Sequence, residues 1–132
     1  MSLENVEVVR QFYEAWNGDD RRDATFPFIA DDFEWVNPPY AVEPGTRTGV
    51  DGWLQAMENL SAAFHDYEHR TGEFVDLGER VLCYTTFVVK AGMSEIAFER
   101  DEPHLWTLRD GKIIRLQWFH DRNEALEAAG LD

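Results

Sequence analysis

The chain has 132 residues, 44% of them hydrophobic, with 5 Trp, 4 Tyr and 9 Phe, and it carries 12 Lys+Arg against 26 Asp+Glu for a net charge of −14. That length suits one domain over residues 1–132, and the apolar share excludes a disordered chain. The acidic balance excludes charge-driven binding to nucleic acid or an anionic membrane face.

No apolar run approaches the roughly 20 residues of a bilayer span. The opening Met1-Ser2-Leu3-Glu4-Asn5 lacks the basic-then-apolar order of a signal peptide. The one cysteine, Cys83, sits in the apolar run Arg80-Val81-Leu82-Cys83-Tyr84 and reads as a buried, reduced thiol. A cytoplasmic protein is the expectation.

In chain order, Val6, Val9, Phe12, Tyr13 and Trp16 fall at helical spacing, with Ser2 as N-cap and Asn17-Gly18 as stop. A second helix, Asp20 to about Ile29, is compromised by Pro27. Phe33 to Asn37 alternates like a strand and ends at Pro38-Pro39, and Tyr40 to Thr48 reads as an exposed loop around Pro44-Gly45. A third helix from about Asp51 puts Trp53, Met57, Leu60 and Phe64 on one face.

From Tyr67 the period becomes two, which predicts strands at Tyr67–Leu77, Arg80–Ala91, Glu95–Leu108 and Lys112–His120. Gly78-Glu79, Gly92-Met93 and Asp110-Gly111 mark the turns. Asp121 and Glu124 have the spacing of a capping box before a short final helix that stops at Gly130. Helices first and antiparallel strands after predict an α+β cone, with three helices on the concave face of a curved, mainly antiparallel sheet.

The last hairpin fixes which side chains share a face. A two-residue turn at Asp110-Gly111 pairs His104 with Gln117, and a bulged Arg109-Asp110-Gly111 turn pairs it with Leu116. The bulged register is preferred because it gathers His104, Trp106, Ile114, Leu116, Trp118 and His120 on the helix-covered face. Leu105, Thr107, Ile113, Arg115, Gln117 and Phe119 then form the other face, which predicts a homodimer through the convex side of the sheet.

These segments resemble the nuclear-transport-factor-two-like superfamily, and within it the SnoaL-like (polyketide-cyclase-like) group. The carriers are Val8 to Asn17, Ala30 to Trp35, Arg47-Thr48-Gly49, His104 to Ile113 and Asp121 to Leu131. The resemblance implies a cavity between the helices and the concave sheet. It places Asn37 where ketosteroid isomerases hold their base, Phe12 where they hold a tyrosine, and His104 where they hold an acid. It places Phe87, Thr85 and Trp118 on the positions of the epoxide-hydrolase set, so neither catalytic set is present. Scytalone dehydratase compares only in offering two cavity histidines. Asp121 falls where SnoaL-type cyclases hold their acid/base, although its spacing to Glu124 is also that of a cap.

The resemblance implies a binder of a small apolar or aromatic molecule, with proton-transfer chemistry of the isomerase or cyclase type. The alternative is a non-catalytic ligand-binding or dimerisation module on the same scaffold. The candidate catalytic residues are His104 and Asp121. The candidate ligand-binding residues are Phe12, Trp16, Trp35, Asn37, Phe87, Trp106, Trp118 and His120. Arg100 has the parity of His104 and could clamp a carboxylate or phosphate, but Glu99, Asp101 and Glu102 offer it surface partners. His65 and His69 read as solvated, and no metal or other cofactor is expected from a chain with no glycine-rich phosphate loop, nucleophile elbow or third ligand for these histidines.

Overall fold

The computed structural model describes residues 2–41, 45–64, 66–92 and 95–131. The expectations placed on the Ser2 side chain, Pro44, His65 and Met93 fall outside them. Helix α1 (Ser2–Trp16) buries Val6, Val9, Phe12, Tyr13 and Trp16 as its spacing requires. The second helical piece is α2 (Arg21–Thr25), and Pro27 turns the chain into a single 3-10 turn at Phe26–Phe28 before strand β1 (Ile29–Asn37). The segment expected as an exposed loop contains a strand, β2 (Gly45–Thr48), paired antiparallel with β1. Its four residues alternate no apolar side chain, so no period-two signal announced it.

Helix α3 (Gly49–Ala63) follows directly and buries Trp53, Ala56 and Met57. Then come β3 (Tyr67–Asp76), β4 (Arg80–Gly92), β5 (Glu95–Asp101), β6 (His104–Arg109), β7 (Lys112–Trp118) and α4 (Arg122–Ala128). The sheet order is β2-β1-β7-β6-β4-β3, with β5 also on β4, and every pairing is antiparallel except β1 with β7. The fold is α+β, a curved and unclosed mixed sheet with α1 to α3 on its concave face. Gly72 marks one bend, because a Cβ there would meet the Tyr84 carbonyl oxygen at 2.8 Å, next to the register shift between Thr71 and Phe74.

Two expectations for the strands need correction. The strand expected from Glu95 to Leu108 is two strands lying end to end along one edge of β4, broken at Glu102-Pro103. Pro103 has no N–H to give the ladder, whereas the Glu102 N–H still reaches the Thr85 carbonyl at 2.8 Å.

The hairpin register is neither of the two expected. Asp110 (φ 52) and Gly111 (φ 77) form a two-residue turn with both central residues at positive φ, and Arg109 pairs with Lys112. The bulge lies inside β7 instead, where Ile114 is the extra residue between the pairs Leu108–Ile113 and Thr107–Arg115. Beyond it His104 pairs with Trp118. The expected face of His104, Trp106, Leu116 and Trp118 therefore stands, while Ile113 takes the buried core position expected for Ile114.

On the opposite face, α4 covers Leu82 and Leu105 with Ala125 and Ala129, and Phe119 packs into the same cluster. The apolar members of the face expected to dimerise are thus covered within the chain: Leu105 is buried and Phe119 partly buried under α4, and Ile113 lies in the main core. Among the described residues, no helix is long and apolar enough to cross a membrane.

Candidate functional site

A cavity of about 420 Å³ opens between the C-terminal half of α3 and the concave sheet. From α3 it is walled by Ala56, Asn59, Leu60 and Ala63, and from the sheet by Trp35, Phe87, Leu116 and Trp118. Small residues on α3 leave the room that larger ones would fill. The mouth carries Tyr40 and His120, whose rings lie 4.7 Å apart, with Arg47 and Arg100 also lining the space.

The polar wall is built by three buried residues, His69, Glu102 and His104. The break between β5 and β6 puts the Glu102 carboxylate beside two histidines. Its Oε2 lies 2.9 Å from His104 Nε2 and 3.3 Å from His69 Nε2, and its Oε1 accepts from Arg100 Nη2 at 3.0 Å. Burial alone would raise this carboxyl, yet the hydrogen bonds from His104 and His69 hold it well below the usual carboxylate range. Glu102 is therefore an anion that only accepts, so both imidazoles direct an Nε2–H toward it.

His69 is set by the end of α1. The Asn17 side chain closes on the His69 backbone from both sides, donating from Nδ2 to its carbonyl at 2.7 Å and accepting its N–H at Oδ1 at 2.8 Å. Burial pushes the His69 imidazole down to about 4, against the pull of Glu102. With Nε2 facing Glu102, its Nδ1 is buried without a protein partner.

His104 is held at both nitrogens. Its Nδ1 lies 2.6 Å from the Tyr13 hydroxyl, which accepts from Trp106 Nε1 at 2.8 Å. The hydrogen bonds form a chain from the indole N–H to the phenol oxygen, from the phenol O–H to Nδ1, and from Nε2–H to Glu102. Burial keeps the Tyr13 phenol protonated well above its ordinary value.

Of the residues expected to bind a ligand, Trp35, Asn37, Phe87, Trp118 and His120 line the cavity, as does His104. Phe12, Trp16 and Trp106 do not line it. They pack with one another and with Trp53 in the main core, and Trp16 backs His69 with ring centroids 3.9 Å apart. Asn37 holds two cavity walls together. Its Oδ1 accepts from Trp35 Nε1 at 2.7 Å and Trp118 Nε1 at 2.8 Å, and its Nδ2 donates to Gly45 O at 3.2 Å. Asp121 is exposed, away from the cavity lining, and caps α4 by accepting the Asn123 N–H at 2.7 Å. Glu124 does not complete a capping box and accepts from the Tyr40 hydroxyl at 3.1 Å instead.

Two members of the polar wall, and the tyrosine behind it, escaped sequence reasoning. His69 is buried, contrary to the expectation that it is solvated. Its position two residues after Tyr67 in a strand gives it the same face as that buried tyrosine, and this parity could have shown it. Glu102, expected on the surface beside Arg100, is buried because the strand breaks at the proline that follows. Tyr13 adjoins Phe12, the position the family pattern pointed to, and nothing in the sequence distinguished their reach.

The ligand atoms of His69, Glu102 and His104 lie within 4.8 Å of one another and are the group among the described residues that could hold a metal ion. Their mutual hydrogen-bond distances already account for that spacing.

Residues 9–116 match the SnoaL-like domain. Among solved structures, an NTF2-like protein from Burkholderia pseudomallei is 24% identical, with 94% of this chain and 95% of that one covered and a TM-score of 0.75. TerC, crystallised with polyporic acid, is 25% identical over 96% and 98% of the two chains, also at 0.75. A Jannaschia protein named for its likeness to SnoaL polyketide cyclases is 18% identical over 99% and 94%, at 0.76. Among proteins of curated function, none matches the chain.

Proposed function

The chain belongs to the SnoaL-like domain family, and we propose that it binds an apolar cyclic molecule in the α3 cavity and moves a proton on it. The observation that carries this reading is the buried His69, kept neutral by its burial and oriented by Glu102 with its Nδ1 unpaired, beside an aromatic-walled space. A carboxylate that fixes one imidazole nitrogen leaves the other oriented as a base and stabilises the imidazolium once a proton is taken. The role first assigned to His104 thus passes to His69. His104, engaged at both nitrogens, steadies Glu102. The co-crystal of TerC with polyporic acid, a relative at 25% identity, supports an organic acid as occupant.

The same observation favours this reading over a non-catalytic binding module. Trp106 is in the core and Trp118 forms a wall of the cavity, and room remains beside a buried histidine. The test is exchange of the α-protons of 2-tetralone in D2O, followed by proton NMR. The wild-type protein should accelerate exchange over buffer, and H69Q should lose most of that acceleration while keeping its fold. No acceleration by the wild type, or equal acceleration by H69Q, defeats the assignment.

A further inference from the structure

We propose that the molecule received by this cavity is a cyclic acid, and that Arg100 is the residue that binds its anionic oxygen. The inference rests on the cavity being the binding site and names the class of ligand it takes.

The charge of the lining runs against that of the chain. Acidic side chains outnumber basic ones 26 to 12 in the sequence, yet among the described lining residues Glu102 is the one carboxylate and Arg47 and Arg100 are both cations. Glu102 faces two imidazole N–H groups and one guanidinium, so its charge is answered inside the wall.

Arg100 has donors to spare. A guanidinium carries five N–H donors, and Glu102 takes one of them, from Nη2 at 3.0 Å. Its Nε is buried and has no protein partner. The side chain as a whole is 39% exposed and lines the cavity, so its remaining N–H donors are available to a ligand acceptor. The guanidinium carbon lies 5.4 Å from the Phe87 ring centroid and 5.7 Å from that of Trp118, which holds the planar fork against the two rings that would sandwich an aromatic ligand. A carboxylate or ionised enol attached to such a ring would meet the fork edge-on and gain charge-assisted hydrogen bonds.

The alternative is that Arg100 serves only to hold Glu102. Calorimetric titration with 2-naphthoate and 2-naphthamide, matched in shape and differing in charge, separates the two. Wild-type protein should bind naphthoate about tenfold or more tightly than naphthamide, and R100Q should abolish that preference while naphthamide binding persists. Equal affinity for the two probes in the wild type, or a preference that survives R100Q, overturns the proposal and leaves the cavity reading standing. Failure of both probes to bind overturns the cavity reading and the proposal together. Should R100Q unfold, the Arg100 Nε–H resonance of the wild type decides. It should shift with naphthoate and not with naphthamide, and a resonance unmoved by naphthoate is the contrary result.

Discussion

The concave face of the sheet is used in two ways along its length. At one end α1 and the start of α3 fill it with Phe12, Trp16 and Trp53 against Trp106 of the sheet, ring against ring at centroid distances of 5.1 to 6.3 Å. At the other end α3 presents Ala56 and Ala63, and the same sheet borders open space. Aromatic side chains stand on both sides of the divide, so aromatic content alone does not say which half holds a ligand. The size of the residues facing the sheet from the helices does. The polar cluster lies along the seam, with Tyr13 reaching it from the packed half and Arg100 from the open half. A proton-handling group placed there is held rigid by the core behind it and meets the cavity in front.

The packed half should react most strongly to loss of volume. Trp106→Ala removes a wholly buried indole and leaves the Tyr13 hydroxyl without its donor. It should cost about 3–5 kcal/mol in denaturant unfolding. A loss below about 1 kcal/mol would mean that this half is not close-packed.

The seam should make stability depend on pH. His69 is near 4 when folded and 6.5 when free, so below pH 6.5 the unfolded chain binds more protons than the folded one. Its contribution is complete above pH 6.5 and is lost as pH falls toward 4, by up to about 3 kcal/mol. Glu102, also depressed on folding, adds a loss of the same sign below its free value of 4.5. Unfolding free energies of the wild type should fall across pH 6.5 to 4, and H69Q should flatten that stretch. A parallel fall in H69Q would place the pH dependence elsewhere.

Tyr13→Phe tests the join between the halves with less disturbance. The ring packing stays, while His104 Nδ1 and Trp106 Nε1 lose their partner. Buried groups left unsatisfied cost about 1–3 kcal/mol. A neutral result would mean that neither group relies on the hydroxyl.

The halves also differ in how far the sequence disclosed them. Helical spacing and strand alternation are local signals, and they located α1, α3, the strands and the face shared by His104, Trp106, Leu116 and Trp118. The β2 strand carried no alternation, and the Ile114 bulge is set by pairing across two strands, so neither had a local signature. The cavity was harder still. Trp16 and Trp106 read as ligand contacts and Glu102 as a surface acid because volume and depth depend on what packs opposite. Whether a tryptophan meets another tryptophan or an alanine is decided by α3 lying across the sheet, which no stretch of the chain records by itself.

The smallest stability effect belongs to the open half, and it is also the change that should matter most for function. Ala56 is 4% exposed and lines the cavity, so Ala56→Leu would project a branched side chain into free volume. The added apolar burial offsets the entropy of ordering the side chain, and stability should move by less than about 1 kcal/mol. In the packed half Val9 is 0% exposed, and Val9→Phe, also an enlargement, has no space to enter and should cost about 1–3 kcal/mol. Binding should show the reverse order. Ala56→Leu should weaken 2-naphthoate at least about tenfold by occupying its place, whereas Val9→Phe should leave the affinity of the folded protein within about twofold. Both quantities come from one set of samples, by denaturant unfolding and calorimetry. Equal destabilisation by the two enlargements would mean that the space beside α3 closes in solution, and the division of the concave face into a filled half and a receiving half would fail with it.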